Sequence, residues 1–298
     1  MNIRILKYFL TVAKEENFTR AAKILYVSQP SLSKQLKQLE DEIGKKLFVR
    51  KSFGVELTAD GIKLKNLAED AVNKFDKIKS EFHAEENIGG QIYFGMAESF
   101  QIRYIAKEIR ELKNFYPRLY YKIISGDTEQ IIDKLENGIL DFAVLAETPD
   151  FYKYNFLQFP ESDEWGLIIP ADDELARKNF IQFEDLIGLP LICSEQAWTR
   201  EFSEWCSGRI DELQLAGTYR LVYNATIFAK EKLGYLLCFD KLVDTSAENN
   251  LVFRPLYPRL ETKLYLVWKK YPKFSQIAEK FLAQIKISFS AVDNAERN

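Results

Sequence analysis

The feature that most limits the fold of this 298-residue chain is the pattern within its first sixty residues. One helical segment is followed by a short second one and then by a third, and each carries apolar side chains at helical spacing. The second and third segments are separated by only a few residues, which is the spacing of a helix-turn-helix. The apolar positions are Leu6, Phe9, Leu10 and Ala13 in the first segment, Ala21, Ala22, Ile24 and Leu25 in the second, and Leu32, Leu36 and Leu39 in the third.

The third segment has a polar side of unusual composition. We expect Thr19 to cap the second helix and Ser28 to cap the third, with Pro30 tolerated in the first turn. Glutamine can bind adenine through two hydrogen bonds, serine can bind several bases, and lysine can bind guanine or phosphate. A merely solvated helix face is the alternative on composition alone. The polar positions are Gln29, Ser31, Ser33, Lys34, Gln35 and Gln38.

A predicted hairpin and a local excess of positive charge follow these helices. Two short β-like runs flank Ser52-Phe53-Gly54, which would place Arg50 and Lys51 near a hairpin tip, suited to phosphate or minor-groove contact. Residues 1–60 hold 11 basic and 7 acidic side chains, a net charge of +4, although the whole chain carries −3. A basic N-terminal segment on an acidic remainder indicates a polyanionic partner for that segment.

The stretch from Phe18 to Gly61 resembles the winged helix-turn-helix of LysR-type transcriptional regulators. It includes Phe18-Thr19-Arg20-Ala21-Ala22, Leu25-Tyr26-Val27-Ser28-Gln29-Pro30-Ser31-Leu32-Ser33-Lys34-Gln35-Leu36, Leu39-Glu40, Ile43-Gly44, Leu47-Phe48-Val49-Arg50 and Leu57-Thr58-Ala59-Asp60-Gly61. The resemblance implies that residues 1–58 bind double-stranded DNA at a dyad-symmetric operator. The implied DNA-binding residues are Thr19, Ser28, Gln29, Pro30, Ser31, Ser33, Lys34, Gln35, Arg50 and Lys51.

Residues 59–88 carry one apolar stripe along a predicted helix of about 25 residues, which would be roughly 37 Å long. The small N-terminal segment offers little to cover such a stripe, so we expect a second copy of the chain to cover it and produce a dimer or tetramer. Packing against the chain's own body is the alternative. The stripe comprises Leu64, Leu67, Ala68, Ala71, Phe75, Ile78 and Phe82.

Residues 89–298 alternate between strand and helix patterns, which is typical of an α/β domain with a parallel sheet. The resemblance implies a two-lobed, periplasmic-binding-protein-like effector domain, with lobe I at about 89–161 and 263–298 and lobe II at about 162–262. We predict strands at 91–96, 120–125, 141–145, 165–169, 189–193, 220–224, 235–238, 251–254 and 263–269, and helices following Ser99, at 129–137 and at 277–287.

A small-molecule effector is expected between the lobes, at the carboxyl ends of the strands. The resemblance implies a lining of Ser99, Phe100, Gln101, Thr128, Glu147, Ser194 and Glu195, with Trp198 as a further candidate. Ser99 and Thr128 could equally serve as simple helix caps. Because Glu147 stands where related proteins that bind acids often have a basic residue, with Glu98 and Asp127 nearby, we hypothesise an effector that is neutral or carries an amine. Ordinary surface carboxylates are the alternative.

Other classes of protein are disfavoured by composition. Cys193, Cys206 and Cys238 form no C-x-x-C pair, and His83 is the only histidine, so neither a zinc site nor a histidine-based catalytic triad is indicated. The cysteines are expected to be structural; redox sensing is the alternative. No apolar stretch approaches the roughly 18 residues of a membrane span, and the N-terminus does not resemble a signal peptide. We therefore expect a cytoplasmic protein without catalysis, metal, cofactor or membrane contact.

The expected fold class is α/β, comprising an N-terminal winged helix-turn-helix, a long linker helix and a two-lobed α/β effector domain. The expected function is DNA-binding transcriptional regulation controlled by a small molecule. Two alternatives remain open at this point. One is a two-lobed small-molecule-binding protein or enzyme without DNA-linked regulation, and the other is a constitutive regulator whose cleft binds nothing.

Overall fold

The computed structural model describes residues 1–51, 54–83 and 90–296. The chain forms two compact units, built mainly by residues 1–86 and 87–298, and each is described by itself. Three predicted features lie outside the described residues: the hairpin positions 52 and 53, the domain boundary at 88–89, and the side chains of Arg50, Phe82 and His83.

The first unit has the predicted helix-turn-helix and hairpin. Phe9, Val12, Leu32 and Leu39 are fully buried at the centre of its core, so α1 and α3 pack through their apolar stripes. The two strands pair antiparallel, with Phe48 opposite Leu57. The elements are α1 (Ile3–Glu15), α2 (Phe18–Ile24), α3 (Gln29–Ile43), β1 (Phe48–Lys51), β2 (Gly54–Leu57) and α4 (Ala59–His83).

One of the two predicted caps in this unit is confirmed and the other is wrong. Ser28 caps α3, because its hydroxyl accepts a hydrogen bond from the Ser31 amide at 3.4 Å. α2 is capped by Asn17 rather than Thr19. The Asn17 side-chain oxygen accepts from the amides of Thr19 and Arg20 at 2.9 and 3.0 Å, so Thr19 lies exposed in the first turn.

The apolar stripe of α4 does not form a single uncovered surface. Leu64, Ala68 and Val72 pack into the core of the first unit, and Ala68 is 1% exposed. Leu67 and Ile78 are exposed. The predicted stripe is therefore divided: Leu64 and Ala68 are covered within the unit, whereas Leu67 and Ile78 remain exposed for a partner.

The second unit is α/β, with two sheets that define two lobes. Its elements are β3 (Gln91–Met96), α5 (Arg103–Phe115), β4 (Tyr120–Ser125), α6 (Thr128–Glu136), β5 (Phe142–Leu145), β6 (Tyr154–Gln158), β7 (Asp163–Pro170), α7 (Phe183–Leu186), β8 (Pro190–Ser194), α8 (Glu195–Thr199), α9 (Glu201–Trp205), β9 (Gln214–Tyr219), α10 (Val222–Lys230), β10 (Tyr235–Phe239), β11 (Leu251–Pro255), β12 (Glu261–Thr262), β13 (Tyr265–Lys269) and α11 (Gln276–Glu296).

Lobe I contains a mixed sheet in the order β4-β3-β5-β13-β6. β3 pairs parallel with β4 and β5 as predicted, whereas β13 pairs antiparallel with both β5 and β6. Aromatic rings fill the core between the sheet, α5 and α11, and Phe94, Phe142 and Phe281 are at most 1% exposed. This rigid core fixes the positions at which β3, β4 and β5 end.

Lobe II contains a sheet in the order β11-β7-β10-β8-β9, with β12 also paired to β7. β8 lies parallel to β9 and β10, and β7 runs antiparallel to β10. Trp165, Leu167 and Phe202 belong to one of its cores. The chain enters this sheet at Asp163 and leaves it at Thr262, which lie opposite each other.

The predicted strand at 220–224 was wrong. The strand is β9, and residues 222–230 form the helix α10, which buries Val222, Ala225 and Ala229. β9 lies at the edge of its sheet and has mostly exposed side chains, so its sequence lacks the apolar alternation that marks a strand.

Candidate functional site

The side of α3 opposite its apolar stripe is accessible and polar. Leu32, Leu36 and Leu39 are at most 2% exposed, which fixes the rotation of the helix. The Gln35 amide donates to the Ser31 hydroxyl at 3.3 Å, along the polar side. On this side Ser28, Pro30, Ser31, Lys34, Lys37 and Gln38 are exposed, and Gln29, Ser33 and Gln35 are half-buried.

The hairpin is tied to α3 by Glu40, whose role the sequence reasoning missed. One Glu40 oxygen accepts from the amides of Leu47 and Phe48 at 2.8 and 3.3 Å, and the other accepts from the Lys46 ammonium at 2.8 Å. Burial opposes ionisation of this carboxyl, but these hydrogen bonds outweigh it and lower the pKa of Glu40. The hairpin's Lys51 is exposed and pairs with Glu56 at 3.2 Å.

The hairpin also makes a close backbone approach to the end of α1. The Val55 amide donates to the Glu16 carbonyl at 2.9 Å. Gly54 has φ of +128°, and a Cβ there would lie 2.5 Å from the same carbonyl oxygen. Only glycine fits this position, so the placement of the hairpin depends on it.

A cavity of about 670 Å³ lies between the two lobes of the second unit, within the size range of small-molecule sites. Ala97, Gly126 and Ala146 follow the carboxyl ends of β3, β4 and β5. From lobe II, Ser194, Tyr219 and Phe239 end β8, β9 and β10. The cavity therefore opens at the carboxyl ends of parallel strands from both sheets, where α/β folds bind ligands.

Four of the predicted effector residues line this cavity: Thr128, Glu147, Ser194 and Glu195. Ser99, Phe100 and Gln101 are not among its lining residues. Ser99 caps a short helical turn by accepting from the Gln101 amide at 2.9 Å, and both residues are buried. Phe100 is 37% exposed. The Arg103 guanidinium carbon and the Lys241 ammonium nitrogen lie 4.8 and 5.1 Å from the centre of its ring. Trp198 packs against the lobe II core.

Thr128 is the first residue of α6 and does not cap it. The Asp127 carboxylate accepts from the Gln130 amide at 2.9 Å and takes that role. The Thr128 hydroxyl instead accepts from the Gln196 side chain at 3.3 Å, across the cavity.

Further polar contacts cross the cavity, and in each of them lobe I supplies the anion. Glu147 pairs with Arg200, and Asp127 pairs with Arg220 at 3.5 Å. Glu98 accepts from the Val222 amide, at the start of α10, at 2.6 Å. These contacts join the two lobes, and both arginines were missed by the sequence reasoning.

The cavity wall has more negative than positive side chains. Its aromatic members are Trp165, Tyr219 and Phe239. Burial raises the pKa of the Glu201 carboxyl, and its Oε2 has no hydrogen-bond partner among the described residues. The acidic lining residues are Glu98, Asp127, Glu129, Glu147, Glu195 and Glu201, and the basic ones are Arg200 and Arg220.

All three cysteines are free and at most 3% exposed. Burial raises the pKa of Cys206 to about 11 and raises the pKa of Cys193 and Cys238 as well. Because the thiolate is the reactive form, this environment supports the structural role and disfavours redox sensing.

We therefore expect the native protein to react with a thiol reagent at pH 8 at least a hundredfold more slowly than the unfolded chain. Stopped-flow or spectrophotometric titration with a disulfide reagent measures this directly. Ser207→Cys, an exposed neighbour of Cys206, is the matched control and should react rapidly in the native state. Rapid reaction of any native cysteine would contradict the structural role.

Among the described residues, no group of three or more histidine, cysteine, aspartate or glutamate side chains is arranged to hold a metal ion. Within the same part of the chain, no helix is both long and apolar enough to cross a membrane.

Comparison with known proteins agrees with this architecture. Residues 3–62 match the family model for the bacterial regulatory helix-turn-helix protein, lysR family, and residues 85–289 match the LysR substrate binding domain. The HTH-type transcriptional regulator BsdA of Bacillus subtilis (strain 168) is 32% identical over 196 residues, covering 64% of this chain and 66% of that protein. The DNA-binding transcriptional dual regulator OxyR of Escherichia coli (strain K12) is 30% identical over 197 residues, covering 65% of this chain and 64% of that protein.

The matched segment thus spans slightly less than two thirds of each of these relatives. Among solved structures, CbnR, a LysR family transcriptional regulator, superposes with a TM-score of 0.74 at 18% identity, covering 97% of this chain and 99% of that one. At this identity the match is evidence for the fold alone.

The fold and cavity define a two-unit protein that joins a winged helix-turn-helix to a two-lobed ligand-binding domain. With family models matching both units, the chain belongs to the LysR family of bacterial regulatory proteins.

Proposed function

We propose that the protein is a sequence-specific DNA-binding transcriptional regulator controlled by a small-molecule effector held between its lobes. The observation that carries this proposal is the accessible polar side of α3, which is fixed in rotation by three buried leucines. A helix of this kind fits the major groove of B-DNA. The relatives named as transcriptional regulators, and a CbnR structure solved with its target DNA, support the proposal.

The DNA contacts divide into two kinds under this proposal. Gln29, Ser33 and Lys34 would contact base edges, because they lie in the first turns of α3. The remaining predicted residues would position the helix through phosphates, with Pro30 shaping its first turn. These are Thr19, Ser28, Ser31, Gln35, Arg50 and Lys51.

We further propose that the protein acts as a dimer or tetramer on a dyad-symmetric operator. Ile62, Leu67 and Ile78 are exposed apolar residues of α4, and a second copy would cover them. Two recognition helices related by a dyad would contact half-sites about one helical turn apart, or a multiple of it.

The effector proposed for the cavity is neutral or carries an amine. Six carboxylates and two arginines line the cavity, and both arginines already pair with carboxylates. A negative cavity with aromatic walls favours a cationic group over an anion. A small dicarboxylate is therefore expected to bind weakly, with Kd above about 1 mM, when titrated calorimetrically into the full-length protein. Tight dicarboxylate binding would overturn this part of the proposal.

Under this proposal the protein is not an enzyme, and it works in the cytoplasm, where the operator DNA is. A two-lobed binding protein or enzyme without DNA-linked regulation is the competing function, and a constitutive regulator with an empty cleft is another. Footprinting separates the first from the proposal, since such a protein would protect no site upstream of its own gene.

Footprinting on the DNA upstream of its own gene and its neighbour tests the proposal. Gln29→Ala should weaken binding to the protected site by about 1–3 kcal/mol, roughly 5- to 150-fold, with little change on unrelated DNA, because it removes a base contact. Lys51→Ala should weaken binding to all sequences alike and reduce the salt slope by about one, because it removes a phosphate contact.

Gln214→Ala serves as the matched control, since it removes an exposed glutamine from the other unit and should leave the footprint unchanged. A uniform loss of affinity from Gln29→Ala would mean that the polar side of α3 is not the base-reading surface. No protection at low salt by the folded protein would refute the proposed function itself.

A further inference from the structure

The two lobes are joined where the chain crosses between the sheets, and a buried polar cluster lies at this crossing. The two crossing segments run side by side, with the Phe159 amide donating to the Leu264 carbonyl at 2.9 Å and Asp163 opposite Thr262. Gln101 of lobe I reaches into the crossing. Gln101 and Asp163 are only 4% and 3% exposed.

The hydrogen bonds of this cluster use only part of its capacity. The Gln101 side-chain amide donates to Asp163 Oδ1 at 3.3 Å and to the Ser162 carbonyl at 3.4 Å. Asp163 also accepts a hydrogen bond from the Ser99 hydroxyl. Two buried oxygens, Gln101 Oε1 and Asp163 Oδ2, have no partner among the described residues.

When Asp163 is ionised, both oxygens can only accept hydrogen bonds, and neither has a donor in the part of the chain that the structure describes. A buried acceptor without a donor costs about 1–3 kcal/mol, and a buried charge costs more. A single proton on Asp163 Oδ2 would supply the donor and remove the charge. The carboxylic acid and the amide would then each donate to the other, giving a pair joined by two hydrogen bonds.

We propose that Gln101 and Asp163 form a proton-binding site that fastens the lobe crossing in mildly acidic conditions and loosens it when the proton leaves. The proton binding depends only on the geometry of this cluster. Its consequence, a cleft whose effector response varies with pH, rests on the function proposed above.

The surrounding charges fit this assignment. Burial is the main cause that raises the pKa of Asp163 to about 6, against the hydrogen bonds from Ser99 and Gln101 and the charges of Lys241 and Arg103. Three of the nearby cations already have acidic partners. Arg103 pairs with Glu161, Lys241 with Asp240 at 3.8 Å, and Arg259 with both Glu164 and Glu261 at 2.7 and 3.0 Å. Lys263 follows Thr262 directly after β12.

The sign of the pH dependence follows from linkage. Between about pH 4 and pH 6 the folded protein keeps a proton on Asp163 that the unfolded chain has released. Stability therefore falls as pH rises through this window, and the loss is complete above it. Asp163→Asn mimics the neutral acid, because its side-chain amide replaces the acid proton and keeps one acceptor oxygen.

The test is the melting temperature of the full-length protein between pH 4.5 and 8.5. Asp163→Asn should melt roughly 5 °C above the native protein at pH 8 and within 1 °C of it at pH 4.5. Asp141→Asn is the matched control. Asp141 is also buried, but its Oδ2 accepts from the Tyr93 amide at 2.8 Å, so this variant should gain no stability at pH 8. Parallel pH profiles for the native protein and Asp163→Asn would overturn the proposal.

Infrared difference spectroscopy supplies a second readout that does not depend on the stability of a variant. The native protein should show the carbonyl band of a protonated carboxylic acid at pH 5 and lose it by pH 8, and Gln101→Leu should shift or remove this band. Absence of the band at pH 5 would refute proton binding. Footprinting at both pH values separates the outcomes, because a protein without the proton site but with an intact footprint retains its proposed function.

Discussion

Replacing Phe142 with alanine is expected to lower the free energy of unfolding of the second unit by about 3–5 kcal/mol. Phe142 is fully buried, and its ring lies 4.8–6.5 Å from the rings of Phe94, Trp268, Phe274 and Phe281. Alanine would leave a cavity that these large rings cannot fill without moving.

Urea denaturation followed by tryptophan fluorescence measures this loss, because Trp268 belongs to the same core. Phe115→Ala is the matched control: Phe115 is 74% exposed, so its removal should change the free energy by less than about 0.5 kcal/mol. Equal effects from the two variants would show that the aromatic cluster does not stabilise lobe I.

Alanine in place of Gly166 is expected to destabilise lobe II by about 3 kcal/mol or more, through overpacking. Gly166 lies in β7 opposite Pro255 of β11. An added Cβ would lie 2.3 Å from the Phe253 ring and 2.5 Å from the Arg254 carbonyl oxygen. The ring can turn away, but the carbonyl belongs to the paired strand and cannot move without breaking the sheet.

The matched control for this substitution is Gly217→Ala in β9 of the same sheet. A Cβ at Gly217 would have no neighbour within 4 Å, so the change should stay within about 0.5 kcal/mol of neutral. Thermal unfolding of both variants compares the two sites. Similar melting temperatures would mean that β7 and β11 adjust more freely than their register indicates.

The N-terminal unit could be predicted from sequence because its determinants are local. The leucines of α3 repeat at helical spacing within one element, and Ser28 caps the helix that follows it immediately. Thr19 was assigned the cap of α2 because threonine is a good cap. Instead Asn17, two residues earlier, accepts from the first two amides that need a partner, those of Thr19 and Arg20. Which of two neighbouring residues caps a helix depends on where the backbone first becomes helical.

The cavity could be predicted in position but not in detail. The order of strands and helices predicts which strand ends meet, and the resemblance to LysR-type regulators implied Thr128, Glu147, Ser194 and Glu195, which all line the cavity. Arg200 and Arg220 could not be found in this way. Their partners Glu147 and Asp127 lie more than fifty residues away in the sequence, in the other lobe, and the arginines follow no periodic pattern.

A long separation in the sequence also explains why Ser99 and Gln101 were predicted in the cavity wall: Asp163, their partner, lies 62 residues after Gln101. Both follow the carboxyl end of β3, which the sequence correctly places at the cleft. The sequence does not reveal Asp163 as their partner, because this contact depends on how the crossing strands turn. A buried carboxylate draws the two side chains into the lobe crossing and away from the cavity.

In each of the three contacts across the cleft described above, lobe I supplies the carboxylate and lobe II the positive partner. Lobe I contributes carboxylates at Glu98, Asp127 and Glu147, and lobe II contributes Arg200, Arg220 and a helix N-terminus. Separating the lobes would break the Glu147–Arg200 and Asp127–Arg220 ion pairs, whose attraction acts over the roughly 8–10 Å Debye length of physiological salt. Concentrated salt screens this attraction, so we expect high ionic strength to weaken the contacts that hold the two lobes together at the cavity.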